Sequence, residues 1–535
     1  MITRNFSVSI ACMALLAIGG EQAALAQSAG SALSAARPVG QVQDQQIWTD
    51  SRGQPNDSAL ILVDFLLRAD EHALPVEKYR GRELAARLRE ADPGLEADLT
   101  RAFLDYANDV HTGLLDPAKV DKDLHIERVQ IDRERLLAGA AAADDMASYL
   151  DRLAPQDPAY RRMVERYRSF RSKAADEIWG KRVASGATLR PGDRNARVAD
   201  IRARLTAMGD LDPAVYGRIS EDDGARLAAT EQVTDAGGAL DRNYFDPALE
   251  EALKRFQARH GLQQDGLVGP ATLAQLNISP RERVEQIAVN LERLRWMNQN
   301  VGERYILVNV AGFEMWVIEN GHAVFSSRVI TGQSENWETP EFIEVMNHMV
   351  VNPTWYVPMS IAKYEMLPKL KQDRDYLAKQ GMRLVGADEH EIDWTTITPE
   401  TFPGRVTQMP GDANAMGRVK FMFPNRHSIY LHDTPGKHLF NRDIRDFSHG
   451  CIRVERSHEL AEYLLANQTR NPGSYFDQVL ESGREQHIQL DEPLAVVLSY
   501  RTAWIDENGV EQFRGDIYGR DRAVARALES AGVPL

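Results

Sequence analysis

The hydrophobic pattern of this chain changes its period near residue 300. Before that point apolar residues recur at helical spacing, as in 95–112 and 280–300. After it, β-branched and aromatic runs are broken by glycine and by the pair Asn320-Gly321, which is typical of a hairpin. A chain of 535 residues is also too long for one compact core. The sequence therefore predicts a multi-domain α+β protein of roughly two to four domains.

The N-terminus has the pattern of an export signal. Arg4 precedes an uncharged stretch from Asn5 to Gly20, and a small-residue site, Ala24-Leu25-Ala26, follows. The uncharged stretch is shorter than the roughly 20 residues that span a bilayer. We expect residues 1–26 to be a signal peptide that is removed, with an uncleaved anchor as the alternative, and we find no other segment with a transmembrane pattern.

The rest of the chain divides by its pattern into a linker, helical segments and a β segment. We predict a flexible linker over 27–55, an α-helical scaffold domain over 56–180, a helical unit over 187–278, a connecting helix over 280–300, a mostly β domain over 304–500 with a helical, charged insertion at about 359–409, and a C-terminal extension over 501–535. The scaffold domain contains no cluster of reactive side chains, so we expect it to be structural. The insertion is expected to lie over a cleft.

Charge and cysteine content narrow the function classes. The chain has 63 Lys and Arg against 78 Asp and Glu, a formal charge of −15. This balance argues against binding nucleic acid as the main activity, because phosphate backbones need a basic face. Removal of the signal would take away Cys12 and leave Cys451 alone. A single thiol in an exported protein is either an inert core residue or a reactive group.

The residues around Cys451 are those that activate a thiol. His432 lies nineteen positions before it and His449 two positions before it. The thiolate is the reactive species, and a neighbouring imidazole that takes the thiol proton generates it. Gly450 permits a tight turn, and successive backbone N–H groups in such a turn can form an oxyanion hole. The segment therefore predicts a cysteine nucleophile with a histidine base.

The same segment is basic and rich in histidine. From 417 to 456 there are eight Lys and Arg against four acids, which favours a thiolate and attracts carboxylates, although a solvated basic surface is the alternative. The histidines of this region are candidate metal ligands: His427, His432, His438, His449 and His458. No H-E-x-x-H is present and the close ligand spacings of structural zinc sites are missing. We predict no metal.

The motifs resemble those of the L,D-transpeptidases, the cysteine enzymes of the bacterial cell wall. The resemblance is carried by HDTP at 432–435, SHGCIR at 448–453, VNPTWYVP at 351–358 and MPGDANAMGRVKF at 409–421. In the helical unit, YFDPALEEALKRFQARHGLQQDGLVGPATLAQLN is similar to a three-helix peptidoglycan-binding domain, interrupted by a polar insertion at 212–243. The order of the domains resembles the large Gram-negative branch of the family.

The resemblance implies a mostly β catalytic domain of the YkuD type with a helical capping insertion, and a role for each motif residue. The implied catalytic set is Cys451 as nucleophile, His432 as general base, Asp433 orienting that base through its backbone carbonyl, and His449, Gly450 and Cys451 itself in the turn whose backbone N–H groups supply oxyanion donors. The implied substrate-binding set is Ser448 and Arg453, which brace the site or meet a carboxylate, and Trp355 and Tyr356 on the acceptor side of the cleft. For these two aromatics a place in the core is the alternative, since aromatic residues in a strand are more often core.

The family further implies a periplasmic enzyme that forms 3→3 peptidoglycan cross-links through a cysteine thioester. It implies stem peptides as partners, other cell-wall synthesis enzymes as candidate partners, no nucleic acid, no cofactor, and acylation of the cysteine by carbapenems. Three alternatives stay open. The acyl-enzyme could be discharged by water or by a protein amine, the chain could be a non-catalytic wall-binding scaffold, and the peptidoglycan-binding-like domain could have lost its ligand.

Overall fold

The computed structural model describes residues 46–89, 91–172, 179–212 and 241–535, and the signal predicted over 1–26 lies outside these ranges. The described chain forms two compact units. The first takes in the described parts of 1–68, 76–108 and 130–154, and the second those of 69–75, 109–129 and 155–535. Within these ranges no helix has both the length and the apolar composition that crossing a membrane requires.

The helices lie mostly before residue 300, as the hydrophobic period predicts. In chain order they are α1 (Asp57–Leu67), α2 (Gly81–Arg87), α3 (Leu95–Thr112), α4 (Pro117–Val120), α5 (Arg133–Ala141), α6 (Met146–Asp151), α7 (Pro158–Ser172), α8 (Ala196–Met208), α9 (Pro247–Arg259), α10 (Pro270–Leu276), α11 (Pro280–Trp296), α12 (Met359–Ile361), α13 (Leu367–Gln372), α14 (Tyr376–Lys379), α15 (Ser457–Leu465), α16 (Pro472–Glu481) and α17 (Arg520–Ser530).

In the part of the chain that the structure describes, the strands all follow residue 300. In chain order they are β1 (Arg304–Asn309), β2 (Glu314–Glu319), β3 (His322–Gly332), β4 (Phe342–Val351), β5 (Trp355–Tyr356), β6 (Met382–Val385), β7 (Arg405–Gln408), β8 (Val419–Met422), β9 (Leu431–His432), β10 (Asp446–Ser448), β11 (Ile452–Val454), β12 (Gln486–Ser499), β13 (Ala503–Ile505) and β14 (Glu511–Phe513). The predicted hairpin is confirmed, because Asn320 and Gly321 join the antiparallel pair β2 and β3.

The predicted linker extends too far toward the C-terminus. Ile47 and Trp48 are buried, and their backbone N–H groups donate to the Glu96 carboxylate on α3 at 2.8 and 3.0 Å. The indole N–H of Trp48 donates to the Thr100 hydroxyl at 3.1 Å. Two apolar residues in a polar stretch are too few to form a recognisable hydrophobic periodicity. One large aromatic side chain is nevertheless enough to hold the segment against a helix. Residues 47–49 therefore belong to the first unit.

The three-helix unit in the second part of the chain has the core that its period predicts. α8, α9 and α10 enclose it, and the predicted face of α9 is fully buried: Leu249, Ala252, Leu253 and Phe256. Asp246 caps α9 by accepting a hydrogen bond from the Leu249 N–H at 2.8 Å. Most of the polar insertion predicted at 212–243 lies outside the described residues.

The β domain is built on a nine-stranded sheet in the order β10-β3-β11-β9-β8-β4-β12-β1-β2. β2 also pairs with β3, which closes the strands on themselves. Alternate side chains point to a common core, whose fully buried members include Val329, Phe421, Leu431, Ile452 and Val496. With the helical first unit, this confirms the predicted α+β class. The short parallel strands β9 and β11 lie side by side in the sheet and carry the motif residues.

The sequence predicts a helical insertion over 359–409, but the structure shows that this segment also contains strands. It holds a three-stranded sheet in the order β5-β7-β6, so that its fold begins at Trp355, before the predicted boundary. Helices α12 to α14 pack on this sheet around a separate core that includes Leu370, Trp394 and Val406. Strands of two to four residues are too short for an alternating pattern to be recognised. We call residues 355–408 the cap.

The C-terminal extension packs on other parts of its unit. Asn290 of α11 exchanges two hydrogen bonds with Thr502, at 2.7 Å to its hydroxyl and 3.0 Å from its N–H. Arg514 donates to the Arg259 carbonyl at the end of α9, at 3.1 Å. The extension is therefore tied both to the connecting helix and to the three-helix unit.

Candidate active site

One face of the sheet brings the motif residues together. β9 runs parallel to β11, with His432 opposite Arg453, and antiparallel to β8, with His432 opposite Lys420. Tyr430 and Cys451 each lie two positions before one of these residues, and side chains two apart in extended chain share a face. The Tyr430 and His432 rings are 5.7 Å apart, and the Lys420 ammonium lies 4.6 Å from the Tyr430 ring centre.

His432 is held as a neutral base. Its Nδ1 lies 2.5 Å from the Asp433 carbonyl oxygen, and because a carbonyl only accepts, Nδ1 carries the proton. Burial, followed by the nearby charge of Arg453, lowers the pKa of His432 to about 3. The ring is therefore neutral at physiological pH, and Nε2 keeps a free lone pair with which to accept a proton.

The Asp433 carboxylate is turned away from this role. It accepts from the Ser457 hydroxyl at 2.7 Å and from the Arg418 backbone N–H at 2.8 Å, and it pairs with the Lys437 ammonium at 2.7 Å. Burial alone would raise the pKa of Asp433, but these partners together hold it below its usual value. The predicted contact of this residue with the base is thus made by its backbone, while its side chain anchors the loop after β9.

Cys451 is half-buried, and its thiol is protonated at rest. Burial raises the pKa of Cys451, against hydrogen bonds from Tyr430 and the charges of Lys420 and Arg453, which lower it. The sulfur also lies 3.6 Å from the Ser428 carbonyl oxygen, which can accept the S–H. The expected effect of the basic segment is present but is outweighed by desolvation, so the resting pair is a neutral thiol with a neutral imidazole.

The turn before Cys451 depends on glycine and on Ser448. Gly450 has a φ of +102°, and a Cβ there would lie 3.0 Å from a methyl carbon of Ile429. The Gly450 N–H donates to the Ser448 hydroxyl oxygen at 3.1 Å, and that hydroxyl donates to the Cys451 carbonyl at 2.5 Å. Ser448 therefore braces the turn. The expectation that Gly450 supplies an oxyanion donor stays a prediction, and in this structure the Gly450 N–H is bonded to Ser448.

The His449 side chain faces the cap. Its Nε2 lies 2.5 Å from the carboxylate of Glu365, in the helical turn between α12 and α13. The Trp337 ring meets it edge to face, with centres 4.9 Å apart. One histidine thus links the turn that carries Cys451 to the cap, which places the cap beside the reactive sulfur.

Comparison with protein families agrees with this geometry. Residues 303–474 match the family model of the YkuD L,D-transpeptidase catalytic domain. The chain carries an L,D-transpeptidase domain. Residues 41–166 match a family described as "Scaffold domain", and residues 231–276 match one described as "Putative peptidoglycan binding domain". The three matched families follow one another in the predicted order, while the predicted domain boundaries stay predictions.

Two curated proteins are similar to parts of this chain. A protein of Haemophilus influenzae named "Putative L,D-transpeptidase" is 36% identical over 249 residues, which cover 45% of this chain and 49% of the relative. An N-acetylmuramoyl-L-alanine amidase of Mycobacterium tuberculosis is 38% identical over 87 residues, which cover 16% of this chain and 18% of the relative. The chain thus spans about half the length of the first relative and a fifth of the second.

Solved structures give a weaker likeness. The L,D-transpeptidases of Xylanimonas cellulosilytica and Stackebrandtia nassauensis are each 14% identical to this chain, with TM-scores of 0.17 and 0.21. Each alignment covers 59% of this chain and 98% of the solved one. At these TM-scores the likeness supports no conclusion about the site.

Of the remaining predicted site residues, one lies near the thiol and the others lie in the cap. Arg453 stays near the thiol, where its charge acts on both Cys451 and His432, and it donates to the Phe447 carbonyl at 3.4 Å. Trp355 was predicted on the acceptor side but packs in the core of the cap and is only 9% exposed. Its neighbour Tyr356 is 68% exposed, as alternation along β5 requires.

Sequence reasoning missed four residues of this site. Tyr430 and Lys420 could have been found from the alternation of side chains on β8 and β9, once His432 was placed. Glu365 could not, because it reaches the turn from a distant segment. Thr339 lies in a pair, Thr339-Pro340, that resembles the family, but the resemblance gave it no role at the turn. Among the described residues no group of three or more His, Cys, Asp and Glu side chains is arranged to hold a metal ion.

Proposed function

We propose that this protein is an L,D-transpeptidase that forms 3→3 peptidoglycan cross-links through a thioester on Cys451. The observation that carries the proposal is a half-buried thiol on the same sheet face as a neutral imidazole whose Nε2 is free. The family match over 303–474 supports the same chemistry. The match to a peptidoglycan-binding family supports wall peptides as substrate, and a cell-wall substrate supports a periplasmic location.

In the proposed acylation step, Sγ of Cys451 attacks the carbonyl between the third and fourth residues of a tetrapeptide stem. The thiol proton passes to Nε2 of His432, which makes the ring cationic for the lifetime of the tetrahedral intermediate. The carbon–nitrogen bond then breaks, and His432 returns the proton to the leaving D-alanine. The Asp433 carbonyl steadies the base throughout, because it keeps the proton of Nδ1 in place.

In the second step a side-chain amine of another stem attacks the thioester. His432 takes the proton from the amine and passes it to the departing sulfur, so that the enzyme is restored. Water competes with the amine for the same thioester. The contact between Glu365 of the cap and His449 supports the proposal that the cap excludes water in favour of the amine. Arg453 is a half-buried cation beside the thiol, which supports the proposal that it binds a substrate carboxylate.

Analysis of muropeptides tests the proposal. Tetrapeptide muropeptides incubated with the enzyme should give dimers joined through the third residues, together with free D-alanine, and Cys451→Ala should give neither. Tripeptides without dimers would show a carboxypeptidase and contradict cross-linking. A Cys451→Ala variant that forms no dimers but retains full biological activity in cells would favour the non-catalytic wall-binding scaffold, and one that still forms dimers would contradict the cysteine mechanism.

A further inference from the structure

A buried hydroxyl connects the turn before Cys451 to a neighbouring loop. Thr339 is fully buried, and its hydroxyl accepts from the Gly332 N–H at 2.9 Å. The same oxygen lies 2.8 Å from the Gly450 carbonyl. A hydroxyl has one proton and a carbonyl only accepts, so Thr339 donates to Gly450. Only glycine fits at position 332, where a Cβ would lie 1.8 Å from the Trp337 carbonyl oxygen.

The bond to Gly450 sets the direction of the next N–H group. In a planar trans peptide the C=O and the following N–H point in opposite directions. When Thr339 holds the carbonyl of Gly450, the N–H of Cys451 must point away from Thr339. No acceptor for the Cys451 N–H occurs within the described ranges, whereas the Gly450 N–H is taken by Ser448. The Cys451 N–H is thus the donor of this turn that is left for a substrate oxygen.

Two residues of the C-terminal extension hold Thr339 in turn. Arg520 is buried, and its guanidinium donates to the Thr339 carbonyl at 3.1 Å. The Tyr518 hydroxyl donates to the Gly332 carbonyl at 2.5 Å and accepts from the Thr339 N–H at 3.4 Å. Both side chains are packed on Tyr500: the Tyr518 ring lies 5.5 Å from the Tyr500 ring, and the Arg520 guanidinium lies 5.3 Å from it.

We propose that Thr339 is a positioning residue that aims the Cys451 N–H at the developing oxyanion, and that Tyr518 and Arg520 hold Thr339 for this purpose. The inference rests on the proposed function, because an oxyanion forms only if Cys451 attacks a carbonyl. It gives the extension a part in the reaction, although Tyr518 and Arg520 lie outside the region 303–474 that matches the catalytic family. A donor that points at the transition state is worth most when it is fixed beforehand.

The test compares two reactions of the same sulfur. Acylation by a carbapenem forms the bond from Sγ to the lactam carbonyl carbon and breaks the lactam C–N bond, whose nitrogen takes the thiol proton, so it passes through an oxyanion. Alkylation by iodoacetamide displaces iodide and forms no oxyanion. Rates of both are followed by intact-protein mass for wild type, Thr339→Val, Thr339→Ser and Tyr518→Phe. Tyr475→Phe, on the partly exposed side of α16, is the matched control for loss of a phenol hydroxyl.

We expect Thr339→Val to slow acylation by about 10- to 100-fold, because a misdirected donor loses much of its effect. Alkylation should stay within about twofold, since it does not use the donor. Thr339→Ser should restore acylation to within about threefold of wild type, and Tyr518→Phe should slow it by about 3- to 10-fold. Tyr475→Phe should match wild type in both reactions.

The outcomes separate this inference from the proposed function. Equal acylation rates for wild type and Thr339→Val, or equal losses in acylation and alkylation, would overturn the positioning role and leave the function in place. If Thr339→Val fails to fold, Tyr518→Phe decides alone, and an unchanged ratio of the two rates overturns the inference. A wild-type enzyme that the carbapenem does not acylate would contradict the proposed function itself.

Discussion

At the scale of single residues, burial and charge act on the thiol in opposite directions. Lys420 and Arg453 lower the pKa of Cys451, but burial has the larger effect and leaves it raised. His432 is neutral for the same reason, since an imidazolium in that position would lose its hydration. Cys451 and His432 are therefore both neutral at rest and do not form an ion pair. In the proposed mechanism the proton passes from the thiol to the imidazole during the attack.

This account makes a prediction about pH. Because only the thiolate reacts with iodoacetamide and the pKa of Cys451 is raised, the alkylation rate should increase with pH, with a midpoint above roughly 8.5, the value of a free cysteine. Lys420→Met removes a charge that favours the thiolate, so its midpoint should lie higher still. A midpoint below about 7 in wild type would indicate a resting ion pair and contradict this account.

The sequence was a good guide to which residues meet and a poorer guide to what each one does. The motifs indicated Cys451, His432 and Arg453, and the structure places these residues on or directly beside two adjacent short strands. It could not show that the Gly450 N–H is already bonded to Ser448, nor that the Asp433 carboxylate turns to Lys437. Those details depend on side-chain directions, which a sequence pattern does not contain.

At the scale of elements, the cap is attached to the active-site turn by one polar contact. Glu365 of the cap meets His449, two residues before Cys451. Both side chains are about one-third exposed, so the contact is accessible to water and easily exchanged for it. The link is therefore suited to hold the cap beside the turn that carries Cys451 without locking it.

Hydrogen exchange tests this link. Glu365→Ala removes the acceptor, and exchange of the backbone amides in 362–372 should speed up by about fivefold, the effect of losing one hydrogen bond. Glu365→Gln keeps a carbonyl oxygen at the same place, so its exchange should stay close to wild type. If Glu365→Ala left exchange in this segment unchanged, the cap would be held by its other contacts and the link would have no role.

The cap also shows where a pattern of hydrophobic residues stops being informative. Its helical, charged sequence was recognised, but its sheet was not, because β5 has two residues and β6 and β7 have four each. Trp355 was placed on the cleft by resemblance and lies in the core of the cap. In a strand this short, the sheet that it joins decides which way each side chain faces. That sheet exists only in the folded chain and is not visible in the sequence pattern.

At the scale of the whole molecule, the order of the families was predictable and the role of the last segment was not. The scaffold, peptidoglycan-binding and catalytic families follow in the order that the motifs indicate. The extension over 501–535 carries no motif, yet Arg520 and Tyr518 reach the loop that holds Gly450. Contacts between residues about 180 positions apart cannot be inferred from spacing along the chain.

Intact-protein mass after exposure to a carbapenem tests the central claim most directly. Wild type should gain the mass of one carbapenem on the peptide that contains Cys451. Cys451→Ala should gain none, and His432→Ala should acylate at least about 100-fold more slowly, since it lacks the base. A wild-type protein that stays unmodified, or a Cys451→Ala variant that is acylated to the same extent, would contradict the claim that this sulfur is the nucleophile.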